Sequence, residues 1–93
     1  MISGAKMIAQ QITIDIPQKV LLAEKMDTTA FGRELRMLAA VKMYELGRLT
    51  SGRAAELAGM SRVEFLLRLP HYNVFPFSTE LEELESAYAK SYQ

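Results

Sequence analysis

Arg62 and Arg68 stand in a stretch whose other cations are Arg48 and Arg53. A guanidinium is a planar fork of N–H donors, able to grip a guanine edge, a phosphate or a carboxylate through two parallel hydrogen bonds. On one helix, Arg62 and Arg68 are placed to meet base edges, with Ser61 beside Arg62 at the helix start; Arg48 and Arg53 precede them, where phosphate is the natural partner. A second polar set lies far upstream. Gln11 and Thr13 alternate with Ile12 and Ile14, and their side chains can hydrogen-bond base edges, whereas Asp15, the next in that set, can only accept and meets phosphate at an electrostatic cost.

Other chemistries find little support. The chain has no cysteine, so it offers no thiol nucleophile, thiolate ligand or disulfide, and His71 is its single histidine, just after Pro70 in a loop. No Walker or dinucleotide glycine pattern occurs. The glutamates 80, 82, 83 and 85 could hold a hard cation, but a solvated first helical turn explains them as well, since the N-terminus of a helix favours negative charge. The expectation is a protein that is not an enzyme and needs no cofactor.

The elements that hold the arginines can be read from residues 48–69, RLTSGRAAELAGMSRVEFLLRL. Ala54, Ala55 and Ala58 keep a first helix thin enough for a second to cross close over it. Gly59 ends the first helix, because the position after a helix favours a residue that tolerates positive φ. Ser61 and Glu64 then form an S-x-x-E capping box, with Met60 and Phe65 spaced as a hydrophobic staple. This is the layout of a helix-turn-helix, which serves either as a DNA reader or as a plain packing unit. Both uses stay open here, because Val63, Phe65, Leu66, Leu67 and Leu69 leave the second helix little face for a groove.

Upstream, Ile12, Ile14 and Ile16 alternate with polar residues, a period of two that predicts a short strand over residues 11–16. Pro17 fits the first position of a helix running to about Met26, and Thr28 or Thr29 can cap a long helix over residues 29–46 that Gly47 stops. From Met37 to Leu46 that helix is apolar or small apart from Lys42 and Glu45, which predicts burial on more than one face. In so short a chain a second subunit is one cover, giving a homodimer seam along Leu38, Val41 and Leu46 with Ile12 and Ile14 at the strand; the helix-turn-helix and tail of the same chain are the other. Pro70 breaks the last helix of the body. Residues 72–77 are extended, with Val74, Phe75 and Phe77 as anchors, and Thr79 with Glu82 caps a final helix whose Leu81, Leu84 and Tyr88 form a narrow apolar stripe. That stripe predicts a partner-binding face.

The chain is thus divided into an extension (1–10), a strand and helical body (11–70) and a segment with an acidic amphipathic helix (71–93). Its 93 residues bury only about 60–65% of their unfolded surface, so self-association is expected. Formal charge is zero overall, but residues 1–68 hold ten Lys/Arg against seven acids, while residues 69–93 hold one lysine against four glutamates. A basic body and an acidic tail fit two surfaces with different partners. No apolar run nears the roughly 20 residues of a membrane span, and the first eleven residues lack the apolar core of a signal peptide, so a soluble cytoplasmic protein is expected.

The segment RELRMLAAVKMYELGRLTSGRAAELAGMSRVEFLLRL, followed by an extended piece and an acidic helix, resembles the small prokaryotic uncharacterised protein family 0175 over about residues 12–88. Members are described as antitoxin-like by kinship to VapB. The resemblance implies a DNA-binding or antitoxin-type protein that pairs with a PIN-domain ribonuclease toxin. The front half separately looks like a ribbon-helix-helix unit, in which strands from two subunits pair and lie in the major groove. The expected architecture is mainly α, with a short N-terminal strand, a ribbon-helix-helix-like front half, a helix-turn-helix, an extended segment and a C-terminal amphipathic helix. The expected function is a small DNA-binding transcriptional regulator of antitoxin type. The competing one is a protein-interaction adaptor whose helix-turn-helix binds no DNA.

Overall fold

The computed structural model describes residues 8–77 together with 80, 82, 85 and 86. Among these the fold is mainly helical: α1 (Gln18–Glu24), α2 (Thr28–Glu45), α3 (Ser51–Ala58), α4 (Arg62–Arg68) and a 3-10 turn (Leu69–Tyr72). No strand occurs among the described residues. A strand is defined by a partner, and residues 11–16 meet none among the described residues.

The helix boundaries follow local chemistry. Pro17 serves as the cap of α1 rather than its first residue, with ψ at 137°. The helix ends where Lys25 turns left-handed at φ 58°, its own amide bonding back to Leu22 and that of Met26 to Leu21. For α2 the cap is Asp27, whose carboxylate accepts from the Ala30 amide at 2.8 Å, so neither Thr28 nor Thr29 plays that part. A carboxylate is the stronger acceptor and carries the charge a helix start favours. Gly47, at φ 76°, terminates α2 as expected.

The core joins α2, α3, α4 and the 3-10 turn. Met37, Ala40, Val41 and Tyr44 are the buried residues of α2, spaced as a single helical stripe within this chain. Val41 is 5% exposed and belongs to the core of its own chain, while Leu38 (45%) and Leu46 (58%) face outward. Across from the stripe, Ala54 and Ala55 of α3 are buried, as are Phe65, Leu66 and Leu69. The Phe65 ring meets Tyr44 edge-on, with centroids 5.8 Å apart.

The turn between α3 and α4 has the expected parts. Gly59 is left-handed at φ 80°, and Ser61 Oγ accepts from the Glu64 amide at 3.1 Å. The carboxylate of Glu64 does not return the bond; it accepts from Arg68, one turn on, at 2.8 Å. Arg36 of α2 reaches across and donates to the Leu57 carbonyl at 2.7 Å, satisfying one of the last acceptors of α3. Beyond the 3-10 turn, Asn73 is left-handed at φ 60° and residues 74–77 run extended. Val74 is buried and the Phe77 ring lies 5.3 Å from Tyr44, but Phe75 points outward and anchors nothing.

Candidate functional site

Four buried or half-buried polar groups converge where α2, α3 and α4 meet. Tyr44 sits in the apolar stripe of α2 and Ser51 is the first residue of α3; each is almost wholly enclosed. A hydroxyl taken out of water needs a partner. Both find the same one: the Tyr44 hydroxyl donates to Oε1 of Glu80, and Ser51 Oγ donates to Oε2. Arg62 completes the cluster, its Nε donating to Ser51 Oγ at 2.8 Å while Nη2 stands 3.5 Å from Glu80 Oε2. The Phe77 amide donates to the Tyr44 oxygen at 3.2 Å, which ties the extended segment to the same point.

The electrostatics follow from that geometry. Burial opposes the charged form of Glu80, but the hydrogen bonds from Ser51 and Tyr44 and the charge of Arg62 outweigh it, so the carboxyl titrates below its ordinary 4.5. Burial and the hydrogen bond to Glu80 push the Tyr44 phenol up to about 12, so it stays a donor throughout the neutral range. Glu80 is therefore an anion held by three side chains, with 16% of its side chain exposed against 40% for Arg62. The solvated first turn expected for the glutamates does not describe Glu80. It does fit Glu82 and Glu85, which are exposed.

The other predicted residues scatter around this cluster. Arg48 is exposed, and Arg53 extends into solvent, paired with Glu56 on its own helix at 3.0 Å. Ser61 is occupied as a cap, Arg68 pairs with Glu64, and Arg62 turns inward rather than out from α4. Gln11 and Thr13 are exposed, and so are Ile12, at 80%, and Ile14. Leu81, Leu84, Tyr88 and the cap at Thr79 lie outside the described residues. Among the described residues no group of His, Asp and Glu is placed to hold a metal ion, and no helix is long and apolar enough to cross a membrane.

A second feature lies on the opposite side of α2. An open apolar cleft of about 1040 Å³ runs beneath the extended N-terminal segment, lined by Ile12, Ile14, Leu21, Phe31, Leu35 and Met43 among others. It contains none of the polar cluster. Tyr44, Ser51 and Glu80 were missed by sequence reasoning, though one signal was present: Tyr44 lies one heptad beyond Met37, on the buried stripe, where its hydroxyl must find a partner.

A pair of short helices joined by a glycine turn, packed on a longer helix and tied by one carboxylate to the segment that follows, defines a small, mainly helical domain. The chain belongs to the Uncharacterised protein family (UPF0175), whose profile matches residues 7–91. It is similar to a UPF0175 protein of Archaeoglobus fulgidus, 42% identical over 52 residues that cover 56% of this chain and 59% of that protein. The chain thus aligns with about three fifths of its relative's length. No solved structure matches it significantly.

Proposed function

We propose that the chain is a small DNA-binding regulator of antitoxin type, which holds DNA through the outer surface of α3 and α4. The observation that carries this reading is the α3–α4 pair itself. Ala54 and Ala55 are buried at the crossing, Gly59 is left-handed and Ser61 caps the second helix, leaving Arg48, Arg53 and Arg68 exposed around the turn. The ion pairs that Arg53 and Arg68 make with Glu56 and Glu64 are solvated contacts within one helix. Such pairs contribute about 0.3–0.5 kcal/mol, so exchanging them for phosphate costs little.

In this proposal the protein is not an enzyme. The apolar patterning of the sequence adds a cytoplasmic homodimer, joined through Ile12, Ile14, Leu38 and Leu46, with a C-terminal partner-binding stripe, and the family resemblance adds a PIN-domain toxin as the partner. A second reading is favoured by Val63 and Leu67, which are exposed on α4 beside the arginines and would suit an adaptor that binds protein instead of DNA.

Titration of a duplex from upstream of the chain's own gene, at two salt concentrations, separates the two. A DNA regulator binds with a steep salt dependence, and Arg53→Ala reduces the slope of log K against log salt by about one. Absence of salt-dependent binding, with a protein partner captured instead, would establish the adaptor.

A further inference from the structure

The three donors around Glu80 form a cradle for an oxyanion. Tyr44 and Ser51 present hydroxyl hydrogens from two different helices, Arg62 presents its guanidinium from a third, and Ser51 stands at the N-terminus of α3. A helix start adds partial positive charge, and hydroxyl, guanidinium and helix start together are the donors that hold phosphate oxygens. In the present conformation a carboxylate fills the cradle, and it comes from the chain's own acidic segment, beyond the two anchors Val74 and Phe77. Arg62 is the loosest of its contacts, at 3.5 Å and 40% exposed, on the very helix expected to face DNA.

We propose that the Tyr44–Ser51–Arg62 cradle is a phosphate site for which Glu80 is an internal competitor. The proposal deepens the DNA-binding reading above and rests on it for the source of the phosphate, a backbone phosphate of DNA. With Glu80 seated, Arg62 is turned into the fold and the cradle is shut. When Glu80 leaves, Ser51 and Arg62 lose an anion they were arranged to hold, and a phosphate takes its place. A partner that captures the C-terminal helix would withdraw Glu80 and so open the site. Partner and DNA would then bind with positive coupling, through one carboxylate.

The test uses the full-length chain, as wild type, Glu80→Ala, Glu80→Gln and the double variant Glu80→Ala/Arg62→Ala, each checked for helicity by circular dichroism. Glu80→Gln removes the charge yet keeps one carbonyl acceptor of the two that Tyr44 and Ser51 use, so it disturbs the fold less than alanine does. Inorganic phosphate, titrated at constant ionic strength against chloride, is expected to raise the melting temperature of the Glu80 single variants but not of wild type or the double variant. Duplex affinity of the single variants is expected to rise about ten-fold, since the closed state no longer competes. A carboxylate that only braced the fold would lower stability in both variants and leave phosphate and duplex binding unmoved. That result, alongside duplex binding that still depends on Arg53, overturns the proposal and leaves the DNA reading standing. Phosphate binding by the single variants with no duplex binding by any chain keeps the cradle as a phosphate site and overturns DNA as its source.

Discussion

The two halves of this small domain obey different rules. Within residues 37–74, helices, caps and core coincide: each of α2, α3 and α4 ends in a satisfied cap and sends apolar side chains into one cluster. Within residues 8–36 no side chain is buried, although α1 is closed by a left-handed Lys25 with its two back-bonded amides. Local signals therefore suffice to place a helix without placing it in a core. A seven-residue helix is marginal in water without tertiary packing, so the front half is the part of the molecule that requires cover. The cleft beneath the N-terminal segment is the surface such cover would reach.

The sharpest way to break this contrast is to truncate one apolar side chain in each half. Phe65→Ala should cost about 3–5 kcal/mol, the usual loss for a buried ring, and that is a large share of the roughly 5–15 kcal/mol available to a domain. Ile12→Ser, at an exposed position, should stay within about 0.5 kcal/mol in dilute solution. Urea denaturation of both variants reads the difference directly. Comparable losses would mean that residues 8–36 are packed after all. If a second copy supplies the cover, sedimentation at high concentration should show association that Ile12→Asp abolishes.

A smaller effect is expected at the polar seam of the packed half. Tyr44→Phe leaves the ring contacts with Phe65 and Phe77 in place but strips a donor from Glu80 and an acceptor from the Phe77 amide. Leaving such groups partly unsatisfied costs about 1–3 kcal/mol. A shift in the denaturation midpoint without change of slope would show that the fold is otherwise intact.

Acid should produce the mildest change. Because the folded state holds the Glu80 carboxyl below its ordinary value, its contribution is complete above pH 4.5 and fades as pH falls through the depressed value. The stability gap between wild type and Glu80→Gln should therefore be widest near neutrality and close toward low pH. A gap that stays constant with pH would mean that the charge of Glu80 contributes nothing.

What the sequence disclosed, and what it hid, divides along a physical line. Gly47, Gly59 and Ser61 mark their boundaries through backbone geometry that depends on a few adjacent residues, and each boundary stands where expected, whereas Pro70 is carried inside a 3-10 turn that delays the extended segment from residue 72 to residue 74. The start of α2 was ambiguous because Asp27, Thr28 and Thr29 can all cap, and only the relative strength of the acceptors decides. The face of Val41 was hidden because an apolar helix does not announce which of its sides meets its own chain. Arg62 was misplaced for a related reason. Its side chain turns toward Ser51, 11 residues upstream, and Glu80, 18 residues downstream, and no spacing rule reaches that far. Of the cluster at the three-helix junction, only the need of Tyr44 for a partner was legible.

The carboxylate at the junction also sets an order of events in time. The helix contacts of the body run between successive elements, α2 with α3, α3 with α4, and α4 with the 3-10 turn. Short closures of that kind are the ones a chain makes quickly. The bond from Tyr44 to Glu80 instead spans 36 residues and uses a segment that leaves the ribosome after the body does. The body can therefore assemble with its hydroxyls still wet, and the acidic segment arrives as a later stitch. A contact absent from the folding transition state leaves the rate of folding alone and governs how slowly the finished molecule comes apart. Glu80 is in that sense a timer on unfolding, set by a segment made after the helices that it locks.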